Sequence, residues 1–139
     1  MIAALICVTR ALVGLHALKF VQRDVRWPNI LCLGDDAYIL IDFESAGRDG
    51  DPIPDEMLDS KVLDPLVISD VRHIYRSCHD MYQLGKLIGD INNPSLQQLR
   101  MNLQSANDAE RCTAETALSI LIALQNGRAH PSLFAPVSE

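Results

Sequence analysis

Two four-residue apolar runs, Ile30–Leu33 and Tyr38–Ile41, flank the turn-forming tetrapeptide Gly34-Asp35-Asp36-Ala37. Short apolar segments on either side of a Gly/Asp turn fold back on each other as a β-hairpin. This hairpin constrains the chain most, because it ties two polar segments together. Asn29 stands just before the first run and Asp42 just after the second, so strand pairing brings both to one end. Upstream, "QRDVRWPN" sets Asp24 five positions before Asn29, on a turn that Pro28 stiffens.

The rest of the chain reads mostly as helix. Residues 2–18 carry Ile2, Leu5, Ile6, Leu12, Val13 and Leu15 with few polar interruptions, which predicts a largely buried helix. Phe20–Val21 predicts a short strand. Residues 45–70 hold three of the seven prolines, two of the seven glycines and many aspartates, so they predict a long irregular loop. Helical periodicity returns over 71–91, with Met81, Leu84, Leu87 and Ile88 on one stripe, and Asn92-Asn93-Pro94 ends it. Shorter helices are predicted over 95–103 and about 108–124, the latter with a core stripe of Leu118, Leu121, Ile122 and Leu124. The tail 126–139 reads as irregular. The fold class expected is α+β, mostly α, in a single domain.

Composition narrows the function. A net charge of −6 argues against nucleic acid as a partner, since such a footprint needs a basic face. No apolar run reaches the ~20 residues of a membrane span, and the apolar start lacks the basic n-region of a signal peptide. Cys7, Cys32, Cys78 and Cys112 are dispersed, with no CxxC pair, which fits thiols in a reducing, intracellular setting, cytoplasmic or nuclear. Cys78-His79-Asp80 has the residue types of a nucleophile, base and acid. Successive helix positions point ~100° apart, so these three cannot converge. His73, His79 and His130 lack metal-ligand spacing, and His16 is expected to pack at its helix end.

The aspartate segments carry the chemistry. Asn29 and Asp42 at one end of a hairpin supply two oxygens, enough for Mg²⁺ when phosphates complete its shell. Asp24 then lies beside the metal, able to accept a hydroxyl proton, and Arg26 can lean over a transferring phosphate.

In these words, "QRDVRWPNIL" and "IDFE" resemble the catalytic loop H-R-D-L-x-x-x-N and the metal-binding D-F-G of the protein-kinase superfamily. "LVGLHALKFV" resembles the helix and strand that lead into that loop. "DMYQLGKLI" resembles the central C-lobe helix, and "ERCTAETALS" the segment around a late structural arginine. The wording D-V-R-W-P-N and I-D-F-E is most similar to kinase-like domains of the Crinkler type found in fungi and oomycetes. The resemblance implies a C-terminal kinase lobe over 1–139, with catalytic loop 22–29, metal-binding segment 42–44, activation-type loop 45–70 and helices over 71–125. It implies Asp24 as catalytic base, Asn29 and Asp42 as Mg²⁺ ligands to ATP, and Arg26 at the γ-phosphate. Arg23 would answer an activation-loop charge, Asp80 would accept hydrogen bonds from the catalytic-loop backbone, and Arg111 would be a structural ion-pair partner. The implied partners are a protein Ser/Thr substrate and an N-lobe that this chain lacks.

Four departures qualify that likeness. Gln22 replaces the usual His and is expected to weaken the packing beneath the site. Glu44 replaces the Gly after Asp-Phe, the residue most tolerant of unusual backbone angles. No A-P-E occurs in the long loop, so Arg111 is expected to lack its partner. No G-x-G-x-x-G precedes residue 20. Two other functions fit the same residues. One is a small-molecule phosphotransferase of the aminoglycoside or choline type, since "IDFESAGRDGDP" with Asp51 and Asp55 follows that pattern. The other is a pseudokinase-like binding module without catalysis.

Overall fold

The computed structural model describes residues 1–127, and the tail predicted as irregular lies almost wholly outside them. Helix α1 (Ile2–Ala17) leads into strand β1 (Phe20–Val21), then a 3₁₀ turn over Trp27–Asn29. The hairpin follows as β2 (Ile30–Gly34) and β3 (Ala37–Leu40), paired antiparallel with Ile30 opposite Leu40 and Leu31 opposite Ile39. A further short strand β4 (Gly47–Arg48) pairs antiparallel with β1. Four helices complete the order: α2 (Pro65–Ser69), α3 (Ser77–Ile88), α4 (Pro94–Leu103) and α5 (Ala114–Gln125). The architecture is α+β, helix-dominated, with two small two-stranded sheets. Among the described residues no helix is long and apolar enough to cross a membrane.

The apolar character of α1 follows from where it lies. It packs on α5, on β3 of the hairpin and on α3. Leu5, Val8 and Leu12 are completely buried among Leu84, Leu96, Leu99, Ile120 and Leu121. Each such side chain contributes about 1.5–3 kcal/mol by leaving water. The predicted stripe of α3 is correct, with Met81, Leu84, Leu87 and Ile88 all buried. On α5 the deepest residues are Ala114, Ala117, Ile120 and Leu121, while Leu118, Ile122 and Leu124 are only half-buried beside them.

Helix starts are where the predictions miss. The helix expected from Val71 begins at Ser77, because Asp70 takes the amides of Arg72 and Ile74 into a turn and His73 adopts a left-handed φ of 51°. Residues Ile74 and Tyr75 instead bond the long loop, through an isolated bridge between Pro52 and Ile74 and an amide from Tyr75 to the Asp51 carbonyl. The helix expected from Asp108 begins at Ala114, capped by the Thr113 hydroxyl on the Thr116 amide. The loop 45–70 is not wholly irregular either. It contains β4 and α2, and Asp64 caps α2 by accepting from the Leu66 amide.

Candidate functional site

Helix α3 positions the loop that carries Asp24. Asp80 is fully buried, and its carboxylate accepts the backbone amides of Gln22 (2.8 Å) and Arg23 (2.9 Å). It also accepts from the Tyr75 hydroxyl at 2.7 Å and meets His16 Nε2 at 2.9 Å. One helical turn on, the same face of α3 presents Gln83. Gln83 Oε1 accepts the Val25 amide (2.8 Å) and its Nε2 donates to the Arg23 carbonyl (2.9 Å). Two side chains from one helix therefore satisfy four backbone groups of a segment that lies outside any strand or helix. Buried backbone polar groups must be paired, so this clamp dictates the path of residues 22–25.

Within that loop Asn29 Nδ2 donates to both the backbone carbonyl of Asp24 (2.9 Å) and its carboxylate (2.8 Å). Arg26 Nε donates to the other carboxylate oxygen of Asp24 at 2.9 Å. Arg26 thus lies on Asp24 here, half exposed, rather than reaching away from it. The Ile41 amide donates to the Asn29 carbonyl at 2.7 Å, which sets Asp42 at the end of the hairpin beside Asn29 as its pairing requires.

Gln22 corrects an expectation. Completely buried, it accepts the Asp24 amide on Oε1 (2.7 Å) and donates from Nε2 to the Asp42 carbonyl (3.0 Å). It braces the two aspartates against each other instead of loosening the site. Glu44 likewise matters less than its sequence position suggests. The left-handed turn falls on Asp42 (φ 63°) and not on Glu44, so a glycine at 44 is not required. A carboxylate-bearing residue held in that region costs of order 1–3 kcal/mol, and such strain gathers at functional sites.

The residues fit a hard cation. Asn29 commits its amide nitrogen to Asp24, which leaves its Oδ1 for a metal, and among the described residues the Asp42 carboxylate at the hairpin's end is engaged only by the Glu44 amide, at 3.4 Å. Alongside Asp24 a cleft of about 520 Å³ opens between Arg26, Ser45, Glu56, Asp59 and Lys61. Across the loop, Arg23 is buried with a φ of 72°. Its guanidinium lies over the Tyr75 ring and its Nη2 approaches the Pro52 carbonyl at 3.4 Å. Among the described residues no carboxylate pairs with it, and its buried Nε finds no acceptor. Gly47 makes room for it, since a Cβ there would lie 2.4 Å from the Arg23 Cζ.

Arg111 has a partner after all, which overturns the expectation drawn from the missing A-P-E. Its Nη1 pairs with Asp64, both side chains only 1% exposed, and also donates to the Cys78 carbonyl at 2.9 Å. His79 Nδ1 joins the same Asp64 oxygen at 2.7 Å. Burial pushes the Asp64 carboxyl upward, but the hydrogen bonds from His79 and Arg111, with the Leu66 amide, outweigh it and hold it below its ordinary 3.8. The pair fastens α2 and the loop before it to α3 and the segment preceding α5. Asp64 escaped notice because it stands before Pro65 in a loop full of aspartates, and Gln83 because amides in helices are usually exposed.

Neither a scan against protein-family models nor a search of curated proteins returns a match to this chain.

Proposed function

We propose that this chain is the catalytic-loop lobe of a protein-kinase-like phosphotransferase, acting on Ser/Thr hydroxyls of a protein. The observation that supports this most is the clamp by Asp80 and Gln83. It holds residues 22–25 by their backbone, while the side chains of Asp24 and Asn29 pair with each other at the start of the hairpin that Asp42 follows. Phosphoryl transfer is mostly positioning and charge stabilisation, so a rigid loop is its central requirement.

In this reading Mg²⁺·ATP, held by Asn29 and Asp42, would supply the phosphoryl group and neutralise its charge. Asp24 accepts the proton of the acceptor hydroxyl, which enters from the cleft beside Arg26. For that, Arg26 swings off the Asp24 carboxylate, and the half-exposed guanidinium then has a phosphate oxygen as its alternative partner. Asn29 keeps Asp24 oriented through its second oxygen.

The test uses Mn²⁺ in place of Mg²⁺. Paramagnetic broadening should centre on the amides around Asn29 and Asp42 and vanish in Asp42→Asn. Absence of broadening there would sink the metal assignment. The 139-residue chain by itself is expected to show negligible phosphotransfer, since it contains no Gly-rich phosphate cradle ahead of the loop. Robust Mg²⁺-dependent transfer lost in Asp24→Ala would instead locate a complete site within these residues.

A further inference from the structure

We propose a second metal site, for a zinc-class divalent cation, formed by Cys78 and His79 of α3 and Asp108 of the 3₁₀ turn Asp108–Glu110. Spacing along the chain gave His79 no ligand partners, because the third residue comes from a distant turn; in the fold the three ligand atoms, a thiol sulfur, an imidazole nitrogen and a carboxylate oxygen, all lie within 4.8 Å of one another. The Cys78 sulfur is 3.9 Å from Asp108 Oδ2. Tetrahedral zinc, with bonds of about 2.3 Å to sulfur and 2.0 Å to oxygen, sets those two atoms about 3.5 Å apart. A side-chain adjustment of a few tenths of an ångström closes the difference for this pair.

The surroundings are those a metal-bound imidazole needs. His79 is 4% exposed and its Nδ1 is engaged by Asp64, which fixes the ring and leaves Nε2 as the free nitrogen. A carboxylate behind a histidine is the usual support of a ligating imidazole, setting its orientation and raising its basicity. Charges also balance. The Cys78 thiolate and the Asp108 carboxylate neutralise the dication, while Asp64 and Arg111 neutralise each other behind it. His79 and Asp108 also line a cavity of about 480 Å³, shared with Asn107 and Arg72, from which water would supply the fourth ligand.

Sulfur and nitrogen donors select zinc or cobalt over magnesium, so this site differs in kind from the oxygen pair at Asn29 and Asp42. Its consequence is structural: a bound ion ties the start of α3 to the segment that delivers Arg111 to Asp64.

The experiment is a Co²⁺ titration of the chain carrying no polyhistidine tag. One equivalent should produce a thiolate-to-cobalt charge-transfer band, displaced by Zn²⁺ and untouched by excess Mg²⁺. Cys78→Ser should abolish the band, Asp108→Asn should weaken binding at least tenfold, and Cys32→Ser, at an exposed thiol, should leave it unchanged. No band, or a band that survives Cys78→Ser, overturns the proposal. Should Cys78→Ser fail to fold by circular dichroism, the exposed Asp108→Asn decides: binding at wild-type affinity overturns the site and tenfold loss supports it.

Discussion

Replacing Asp80 by asparagine tests the loop clamp with almost no change of shape. Each carboxylate oxygen of Asp80 accepts one loop amide, Oδ2 from Gln22 and Oδ1 from Arg23. Each also has a second polar contact, with His16 and the Tyr75 hydroxyl respectively. An asparagine has one oxygen and one NH₂, so whichever way it is turned, one loop N–H faces a donor. A buried donor left unpaired costs about 1–3 kcal/mol, and the bonds lost are to a charged acceptor, worth about 1.5–3 kcal/mol each. A loss of ~3 kcal/mol is therefore expected, against a total stability of roughly 0.05–0.15 kcal/mol per residue. Urea unfolding reads the total. Amide exchange shows where it is lost, with the Gln22 or Arg23 amide accelerating beyond what global destabilisation accounts for. If Asp80→Asn costs under ~1 kcal/mol and both amides stay protected, the clamp is not what holds the loop.

Two further outcomes follow from close contacts elsewhere. Gly47→Ala should cost ~1–3 kcal/mol through its clash with the Arg23 guanidinium, and most of that cost should disappear in an Arg23→Ala background. Additive effects in a urea double-mutant cycle would show that Arg23 does not rest on Gly47. Asp64→Asn should cost ~3–5 kcal/mol at neutral pH, because it strands the buried Arg111 charge. The Asp64 carboxyl is depressed in the folded chain, so its contribution is complete above the unfolded value near 3.8 and is lost as pH falls through the lower folded value. The gap between wild type and Asp64→Asn should therefore close on acidification below about pH 4. A gap of equal size at pH 3 and pH 7 would remove the ion pair as its cause.

The hairpin and the stripe of α3 were legible because both are local periodicities. Short apolar runs on either side of a Gly/Asp turn, and apolar residues at helical spacing, need no knowledge of what they pack against. That Asn29 and Asp42 flank the hairpin was legible for the same reason, since the hairpin's own register joins its ends. Helix starts were less so. Residues 71–76 and 108–113 have helical propensity, but Tyr75 is drawn to Asp80 and Arg111 to Asp64, and each draws its backbone out of the helix. Tertiary hydrogen bonds worth more than a turn of helix overrode the local preference.

The amino-acid order alone determined which residues stand at the hairpin's mouth and which helix faces are apolar, because neighbours in sequence and simple periods decide those. Only the tertiary structure decided what supports them. Gln22 became a brace between two aspartates, Gln83 a second clamp and Asp64 the partner of Arg111 only when segments dozens of residues apart closed on one another. The identity of a polar group's partner in a core is settled by which unpaired donors and acceptors burial leaves within reach, and no spacing along the chain encodes that.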